Sequence, residues 1–183
     1  SEVGRTDANG ISSVLTGTGT SDYSFIRTGS DQIFFGGGAY TLEGRFLIPD
    51  LQDGANDYVF VFGFHDATTE AAVDGAYFLY NNASANWQIV NRDNSAGSPT
   101  ASAVAVVEDA WVRLTIVVNA GATSVAYYVN GTELAVSPLT GSIPDTVNRQ
   151  TGVRFGIIKA GGATSREVWC DYVWMDVDFT TSR

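Results

Sequence analysis

The feature that most constrains the fold of this chain is an alternation of apolar and polar residues with a period of two. It is clearest in residues 40–48 (YTLEGRFLI), where Glu43 and Arg45 stand on the side opposite the large apolar residues. Residues 111–118 (WVRLTIVV) repeat the pattern, with Arg113 and Thr115 on the polar side. Successive side chains of a β-strand point to opposite faces, so this period predicts strands with one buried and one solvent-facing side.

Turn residues divide the chain into about a dozen such segments. Asn130 and Gly131 stand between two alternating runs, and Asn-Gly is the strongest short signal for a two-residue hairpin because both positions need positive φ. Further strands are expected at residues 23–27, 32–35, 58–64, 76–80, 87–92, 103–107, 153–158 and 168–179. The best helical candidate, residues 66–73, has room for only about two turns.

Short strands at this spacing predict an all-β sandwich or jelly roll. The pattern contains no internal repeat and no linker, so residues 1–183 are expected to form one domain, in which residues 1–22 are an extended N-terminal arm. Cys170 is the only cysteine, which excludes a disulfide within the chain, and its apolar neighbours predict a buried core thiol.

The charge balance argues against two classes of partner. The chain has 20 Asp and Glu against 10 Lys and Arg, which gives a formal net charge of −10. A nucleic-acid-binding domain would show a basic patch, and an anionic membrane surface would repel such a chain. No apolar run reaches the roughly 18 residues of a membrane span. We therefore expect no nucleic-acid partner and no membrane insertion.

Three segments resemble a known superfamily. Residues 111–118, the hairpin at Asn130 and Gly131 and the closing DYV at residues 171–173 resemble concanavalin A-like lectin and glucanase domains, which include laminin-G-like domains. The resemblance extends over about residues 30–180 and implies a jelly-roll sandwich of two antiparallel sheets. More narrowly, residues 74–90, residues 143–166 and the closing DYV are similar to a domain of bacteriophage virion proteins.

The resemblance implies a function at a virion surface. We expect a non-enzymatic module of a tail fibre, a spike or a capsid decoration that binds a surface glycan or a neighbouring virion subunit. The likeness to fibres implies a homotrimer at an extracellular location on the virion surface. The alternative is a carbohydrate-binding domain of a secreted polysaccharide-active enzyme.

The same superfamily includes glycosidases whose catalytic strand reads Glu-x-Asp-x-x-Glu, and that signature is absent here. The nearest pair is Asp176 and Asp178, which lie about 6.5 Å apart if they are two positions apart on one strand. That distance suits a glycosidase pair, but nothing in the sequence indicates the raised pKa of a catalytic acid. A glycosidase is therefore the less favoured alternative, and the chain is not expected to be an enzyme.

The only histidine, His65, opens a polar segment with Asp66 between two apolar runs. One histidine and one distant cysteine are too few for the three or four ligands of a zinc site, and no nucleophile motif for a catalytic triad is present. The segment is therefore expected to be a loop, which either joins two strands or contacts a ligand at the rim of the sandwich. An ordinary histidine changes charge between about pH 5 and 8, so binding through His65 would depend on pH there.

A second candidate segment holds Trp87, Asn91, Arg92 and Asp93. Sugar-binding sites combine an aromatic platform with amide, guanidinium and carboxylate groups that hydrogen-bond to hydroxyls. These four residues, with His65 and Asp66, are therefore the candidate ligand-binding set. In the alternative, Trp87 belongs to the core and the others end a strand.

Residues 49–57 (PDLQDGAND) contain three aspartates, Asp50, Asp53 and Asp57, around a glycine. Carboxylate oxygens on a short turn suit Ca²⁺, which makes Ca²⁺ the single cofactor that the sequence suggests. The spacing is not that of an EF-hand, and the same residue types are common in ordinary turns. No other metal or cofactor is expected.

Overall fold

The computed structural model describes residues 10–29 and 32–180, and in this part of the chain all regular structure is β-strand. The twelve strands are β1 Ser12–Leu15, β2 Tyr23–Arg27, β3 Gly38–Leu47, β4 Tyr58–His65, β5 Gly75–Tyr80, β6 Asn86–Arg92, β7 Thr100–Ala105, β8 Trp111–Val118, β9 Val125–Val129, β10 Thr132–Glu133, β11 Gly152–Lys159 and β12 Glu167–Phe179. Within the described ranges no helix is long and apolar enough to cross a membrane.

The strands form two antiparallel sheets of six. Sheet A has the order β1-β12-β3-β8-β9-β10, and sheet B has the order β2-β11-β4-β5-β6-β7. The prediction of an all-β jelly-roll sandwich of two antiparallel sheets is confirmed. In sheet B the strands β4 to β7 follow one another along the chain, whereas β3, β8 and β12 of sheet A come from distant parts of the sequence.

The core lies between the sheets and is rich in aromatic side chains. Phe46 of sheet A packs on Phe62 of sheet B with ring centroids 4.7 Å apart, and both rings are fully buried. Burial of one such side chain contributes about 1.5 to 3 kcal/mol to stability. Cys170 is buried at the edge of this core, and burial raises the pKa of its thiol to about 12. The prediction of a buried core thiol is confirmed.

The hairpin turn forms where the sequence predicts it. Asn130 has φ 52° and Gly131 has φ 84°, and β9 pairs with β10 across them. The side-chain oxygen of Asn130 also accepts a hydrogen bond from the Arg113 backbone N–H at 2.9 Å. This contact ties the turn to the neighbouring strand β8.

A β-bulge in β12 decides which side chains of sheet A face outward. Cys170 pairs with Phe46 on the core side, yet Tyr172, two residues later, pairs with Arg45 on the outer side. The register shifts between them because one extra residue lies on β12. From this point Tyr172 and Trp174 point away from the core.

Some expected elements differ from the structure. Residues 32–35 form only an isolated bridge between Ile33 and Thr151 instead of a strand. Residues 66–73 form a loop and not a helical turn. Within the expected N-terminal arm, Ser12–Leu15 is strand β1, which pairs with β12, while residues 1–9 lie outside the described residues.

Candidate functional site

The outer face of sheet A combines exposed aromatic rings with arginines and carboxylates. We call this surface the sheet A face. Its members are Glu43 and Arg45 of β3, Trp111, Arg113 and Thr115 of β8, Tyr128 of β9, Glu133 of β10, and Asp171, Tyr172, Trp174, Asp176 and Asp178 of β12. The period-two alternation of β3 and β8 points their polar residues outward, and the bulge turns the aromatic residues of β12 to the same side.

Strand register arranges seven of these side chains in two rows. From β12 across the sheet, the first row contains Tyr172, Arg45 and Arg113, and the second contains Trp174, Glu43, Thr115 and Tyr128. Neighbouring strands lie about 4.8 Å apart, so the second row extends about 14 Å between its two aromatic residues. The surface is therefore long enough to contact several consecutive units of an extended ligand.

Glu43 is the centre of the hydrogen bonding on this face. Its Oε1 accepts a hydrogen bond from the Tyr172 hydroxyl at 2.7 Å, and its Oε2 accepts one from the Thr115 hydroxyl at 2.9 Å. The Arg113 Nε lies 3.7 Å from the same Oε2. The hydrogen bond to Glu43 raises the pKa of Tyr172 above its ordinary value. These contacts fix the Tyr172 ring beside Trp174.

Arg45 is fixed by two neighbours. Its guanidinium bonds the Asp171 carboxylate at 2.7 Å and lies 4.9 Å from the ring centroid of Trp111. Asp171 is the extra residue at the bulge, between Cys170 on the core side and Tyr172 on the outer side, and this position lets its carboxylate reach Arg45. Cation–π contacts of this kind contribute about 0.5 to 1 kcal/mol at exposed sites.

Two aromatic rings on the face remain open to solvent. Trp174 is 52% exposed and Tyr172 is 37% exposed. Exposed large apolar side chains that are grouped and surrounded by polar residues are typical of binding surfaces. Rings with ordered hydrogen-bonding groups beside them suit sugars, which present both C–H surface and hydroxyls.

The structure places His65 away from solvent, at the end of β4 and 3% exposed. Its Nδ1 accepts a hydrogen bond from the Ala67 N–H at 3.1 Å, and its Nε2 lies 3.2 Å from the Glu70 carbonyl oxygen. Burial, followed by the nearby Arg154 guanidinium, lowers the pKa of His65 to about 3. The imidazole is therefore neutral between about pH 5 and 8, and the expected change of charge in that range does not occur.

The loop that follows His65 covers the outer face of sheet B. The Arg154 guanidinium, on that face, donates hydrogen bonds to the carbonyl oxygens of Ala67, Thr68 and Thr69. Ala72 packs into a second apolar cluster that contains Val59, Val61, Tyr77, Leu79 and Val90. Residues 66–74 thus cover one sheet, which is a different place from the rim contact loop that the sequence suggested.

The other expected binding residues separate into buried and exposed ones. Trp87 is 1% exposed and packs against Phe60 and Phe78 in the core, so the core alternative describes it. Asn91 is also buried, and its side-chain oxygen accepts a hydrogen bond from the Tyr127 hydroxyl at 2.6 Å. Neither side chain offers a surface to a ligand.

Asp66, Arg92 and Asp93 are only partly buried, and they lie where strands β4 and β6 of sheet B end. Arg92 is across Gly75 from His65, so the register brings these two predicted residues into one row. Asp66 accepts a hydrogen bond from the Val73 N–H at 2.9 Å, and Asp93 lies 3.5 Å from the Arg149 Nε. Ligand contact by these three residues stays a prediction.

An arginine contacts two of the aspartates considered for Ca²⁺. The Arg166 guanidinium lies 2.9 Å from Asp53 and 3.6 Å from Asp50. Hydrogen bonds from Asn56 and Ala55 lower the pKa of Asp53 to about 2. Asp57 instead accepts a hydrogen bond from Asn82 at 3.0 Å. Among residues 10–29 and 32–180 no group of three or more His, Cys, Asp or Glu is placed to hold a metal ion.

Sequence reasoning missed the aromatic residues of the sheet A face. The alternation already put Glu43 and Arg45 on a solvated side, which is the signal that could have led to this surface. For Trp174 the local signals conflict, because it has the parity of the buried Cys170 and also that of the polar Asp176 and Asp178, and the bulge is what resolves the conflict.

Comparison with models of protein families matches residues 7–171 to the SO2946-like, C-terminal domain. The chain belongs to this family. No curated protein sequence matches this SO2946-like domain.

Several solved structures share the fold of this SO2946-like domain. SO2946 from Shewanella oneidensis MR-1, a protein of unknown function, has a TM-score of 0.69 at 16% identity over 98% of this chain and 74% of that one. Alginate lyase AlgAT5 of polysaccharide lyase family 7 has a TM-score of 0.65 at 11% identity, over 95% of this chain and 81% of the lyase chain. The metal-free carbohydrate recognition domain of Emp46p has a TM-score of 0.62 at 8% identity, over 91% of this chain and 82% of the Emp46p chain. At these identities the likeness shows the fold alone.

These likenesses correct one expectation and confirm part of another. The expectation that the SO2946-like domain is not an enzyme is wrong, because five of the similar structures are alginate lyases and the fold is consistent with enzyme activity. The same β-sandwich fold can carry different chemistries, which depend on the side chains on its faces. The absence of one glycosidase signature was therefore not enough to predict that the chain is not an enzyme. The expected likeness to lectin-type jelly rolls is confirmed at the level of the fold.

Proposed function

We propose that this domain binds a polysaccharide on the sheet A face, as the carbohydrate-recognising part of a secreted polysaccharide-active protein. The observation that carries the proposal is the pair of exposed rings, Trp174 and Tyr172, beside the ordered Glu43 and Arg45 groups. Similar folds in a carbohydrate recognition domain and in alginate lyases support the same class of ligand.

The aromatic and the charged side chains of the face would make different contacts with a sugar. Aromatic rings receive the C–H surface of a sugar, and such a contact is built from individually weak dispersion attractions. The carboxylates accept hydrogen bonds from hydroxyls, and the guanidiniums donate them. Because each contact is small, useful affinity needs several sugar units along a row of about 14 Å.

A place on a virion surface and a trimeric assembly remain predictions from the sequence resemblance. The comparisons lend the virion role no support and favour the alternative of a polysaccharide-active protein. Binding partners other than a glycan also remain predictions.

Polysaccharide cleavage is the second candidate function. It is favoured by one specific observation, the group of His65, Tyr77 and Arg154 on the outer face of sheet B. The His65 and Tyr77 rings lie 4.7 Å apart, and the Arg154 Nη1 lies 3.3 Å from the His65 Nδ1. Imidazole and phenol groups can move protons, and a guanidinium can neutralise a carboxylate. Because residues 66–74 cover the group, cleavage would require that loop to move.

Titration of tryptophan fluorescence with soluble polysaccharides tests the main proposal. Trp174 is exposed, so a bound sugar should shift its emission, and Trp174→Phe should keep binding while it removes most of the shift. Trp174→Ala should remove both. An emission change that is identical in wild type and Trp174→Phe would show that the ligand does not contact Trp174 and would contradict the proposal. Release of unsaturated or reducing ends from any of these polysaccharides, lost in His65→Ala, would instead establish the second candidate.

A further inference from the structure

We propose that the sheet A face selects neutral polysaccharides and rejects polyuronates. This inference rests on the proposed function, since it names the class of polysaccharide that the same surface takes. It follows from which charged groups of the face are paired and which are not.

Both arginines of the face are already matched by carboxylates. The Arg45 guanidinium bonds Asp171 at 2.7 Å, and the Arg113 guanidinium lies 3.7 Å from Glu43. A uronate carboxylate at either guanidinium would therefore lie beside the negative charge of Asp171 or Glu43. The paired guanidiniums still have N–H groups that can donate to a hydroxyl or a ring oxygen.

The remaining charges of the face are negative. Asp176 and Asp178 project from β12 and are exposed, and Glu133 lies at the far edge on β10. None of the three has an ion pair among the described residues. The face therefore carries five carboxylates against two guanidiniums, on a chain whose net charge is −10. Like charges at such separations repel, and the repulsion is largest at low ionic strength.

The same carboxylates favour neutral sugars. An ionised carboxylate accepts up to about four hydrogen bonds and donates none, and a sugar hydroxyl is a donor. Asp176 lies one position further along the outer face of β12 than Trp174, so a ring stacked on Trp174 would bring its hydroxyls to Asp176. Hydrogen bonds to a charged acceptor are the stronger kind.

Affinity electrophoresis of the wild-type chain tests this with two groups of probes. The neutral group is hydroxyethyl cellulose, galactomannan, amylose and laminarin, and the acidic group is alginate and polygalacturonate. We expect binding to at least one neutral probe that changes less than about twofold between low and high salt, and no binding to either acidic probe at low salt. The triple variant Asp171→Asn, Asp176→Asn, Asp178→Asn should gain binding to an acidic probe, and Trp174→Ala should lose binding to the neutral one.

The possible failures are distinguishable. Preferred binding of an acidic probe that weakens with salt and is lost in Trp174→Ala would overturn the selectivity and leave the proposed function standing. Binding to none of the six probes, or binding that Trp174→Ala leaves unchanged, would overturn both. No gain of acidic binding in the triple variant, shown by circular dichroism to be folded, would also overturn the charge argument.

Discussion

The Tyr172 hydroxyl donates a hydrogen bond of 2.7 Å to Glu43 across two neighbouring strands of sheet A. These residues are 129 positions apart in the sequence, and the bulge after Cys170 is what brings them to the same face. The bond holds an exposed ring in place beside Trp174. It therefore links the irregularity in β12 to the surface that we propose as the polysaccharide site.

Glu43→Gln tests this relationship. The variant removes the charged acceptor that raises the pKa of Tyr172, so that pKa should fall toward its ordinary value near 10. Titration of the tyrosine ring signals by NMR would follow it. Glu133→Gln, which alters a carboxylate elsewhere on the same face, is the matched control and should leave Tyr172 unchanged. Equal shifts in both variants would count against a specific bond.

Tyr172→Phe is expected to lower the free energy of unfolding by only about 0.5 to 1 kcal/mol, because the hydrogen bond is exposed to water. The free energy of polysaccharide binding should decrease by more than the free energy of unfolding, since the ring loses the contact that orients it. Urea unfolding and a binding titration on the same sample would separate the two effects. A folded variant with full affinity would show that ring orientation is unimportant.

His65 should make stability depend on pH below neutrality. Its folded-state pKa is about 3, whereas an unfolded histidine has a pKa of about 6.5. Between these values the unfolded state binds more protons, so the stabilisation is complete above about pH 6.5 and is lost as the pH falls toward 3. The difference in unfolding free energy between wild type and His65→Asn should therefore shrink by about 1 to 2 kcal/mol from pH 7 to pH 5. A difference that is constant over this range would contradict the burial of His65.

Arg154 should control the loop over sheet B. Arg154→Lys keeps the positive charge but replaces a planar fork by a single ammonium, which cannot reach the carbonyl oxygens of Ala67, Thr68 and Thr69 together. We expect a loss of about 2 to 3 kcal/mol in stability and faster amide exchange in residues 66–74. Arg27→Lys, on the neighbouring exposed position of β2, is the control. Unchanged exchange in the Arg154 variant would show that other contacts hold the loop.

Periodicity predicted most strands because their alternation is read locally. The segment at residues 111–118 and the turn at Asn130 and Gly131 carry all their signals within a few positions, and both form as expected. Strand β1 was missed because Ser12–Leu15 is short and gains its stability from β12, more than 150 residues later.

The site was harder to predict because faces are decided by long-range packing. Trp87 and Trp174 both lie in strand-like segments, yet one is 1% exposed and the other 52%. Counted from the buried Cys170 an unbroken strand would bury Trp174, whereas counted from Asp176 it would expose Trp174, and the local pattern alone does not locate the bulge that reconciles the two. In the same way, nothing near His65 indicates that Arg154 will cover it from another strand.

The most direct test of a polysaccharide site on the sheet A face compares Trp174→Ala with Tyr23→Ala in quantitative affinity electrophoresis against the tightest-binding polysaccharide. Tyr23 is a matched control, because its ring is 54% exposed but lies on β2 of sheet B. We expect Trp174→Ala to weaken binding at least about tenfold, a change of about 1.4 kcal/mol, and Tyr23→Ala to change it less than twofold. Unchanged binding in Trp174→Ala, or an equal loss in Tyr23→Ala, would contradict a polysaccharide site on the sheet A face.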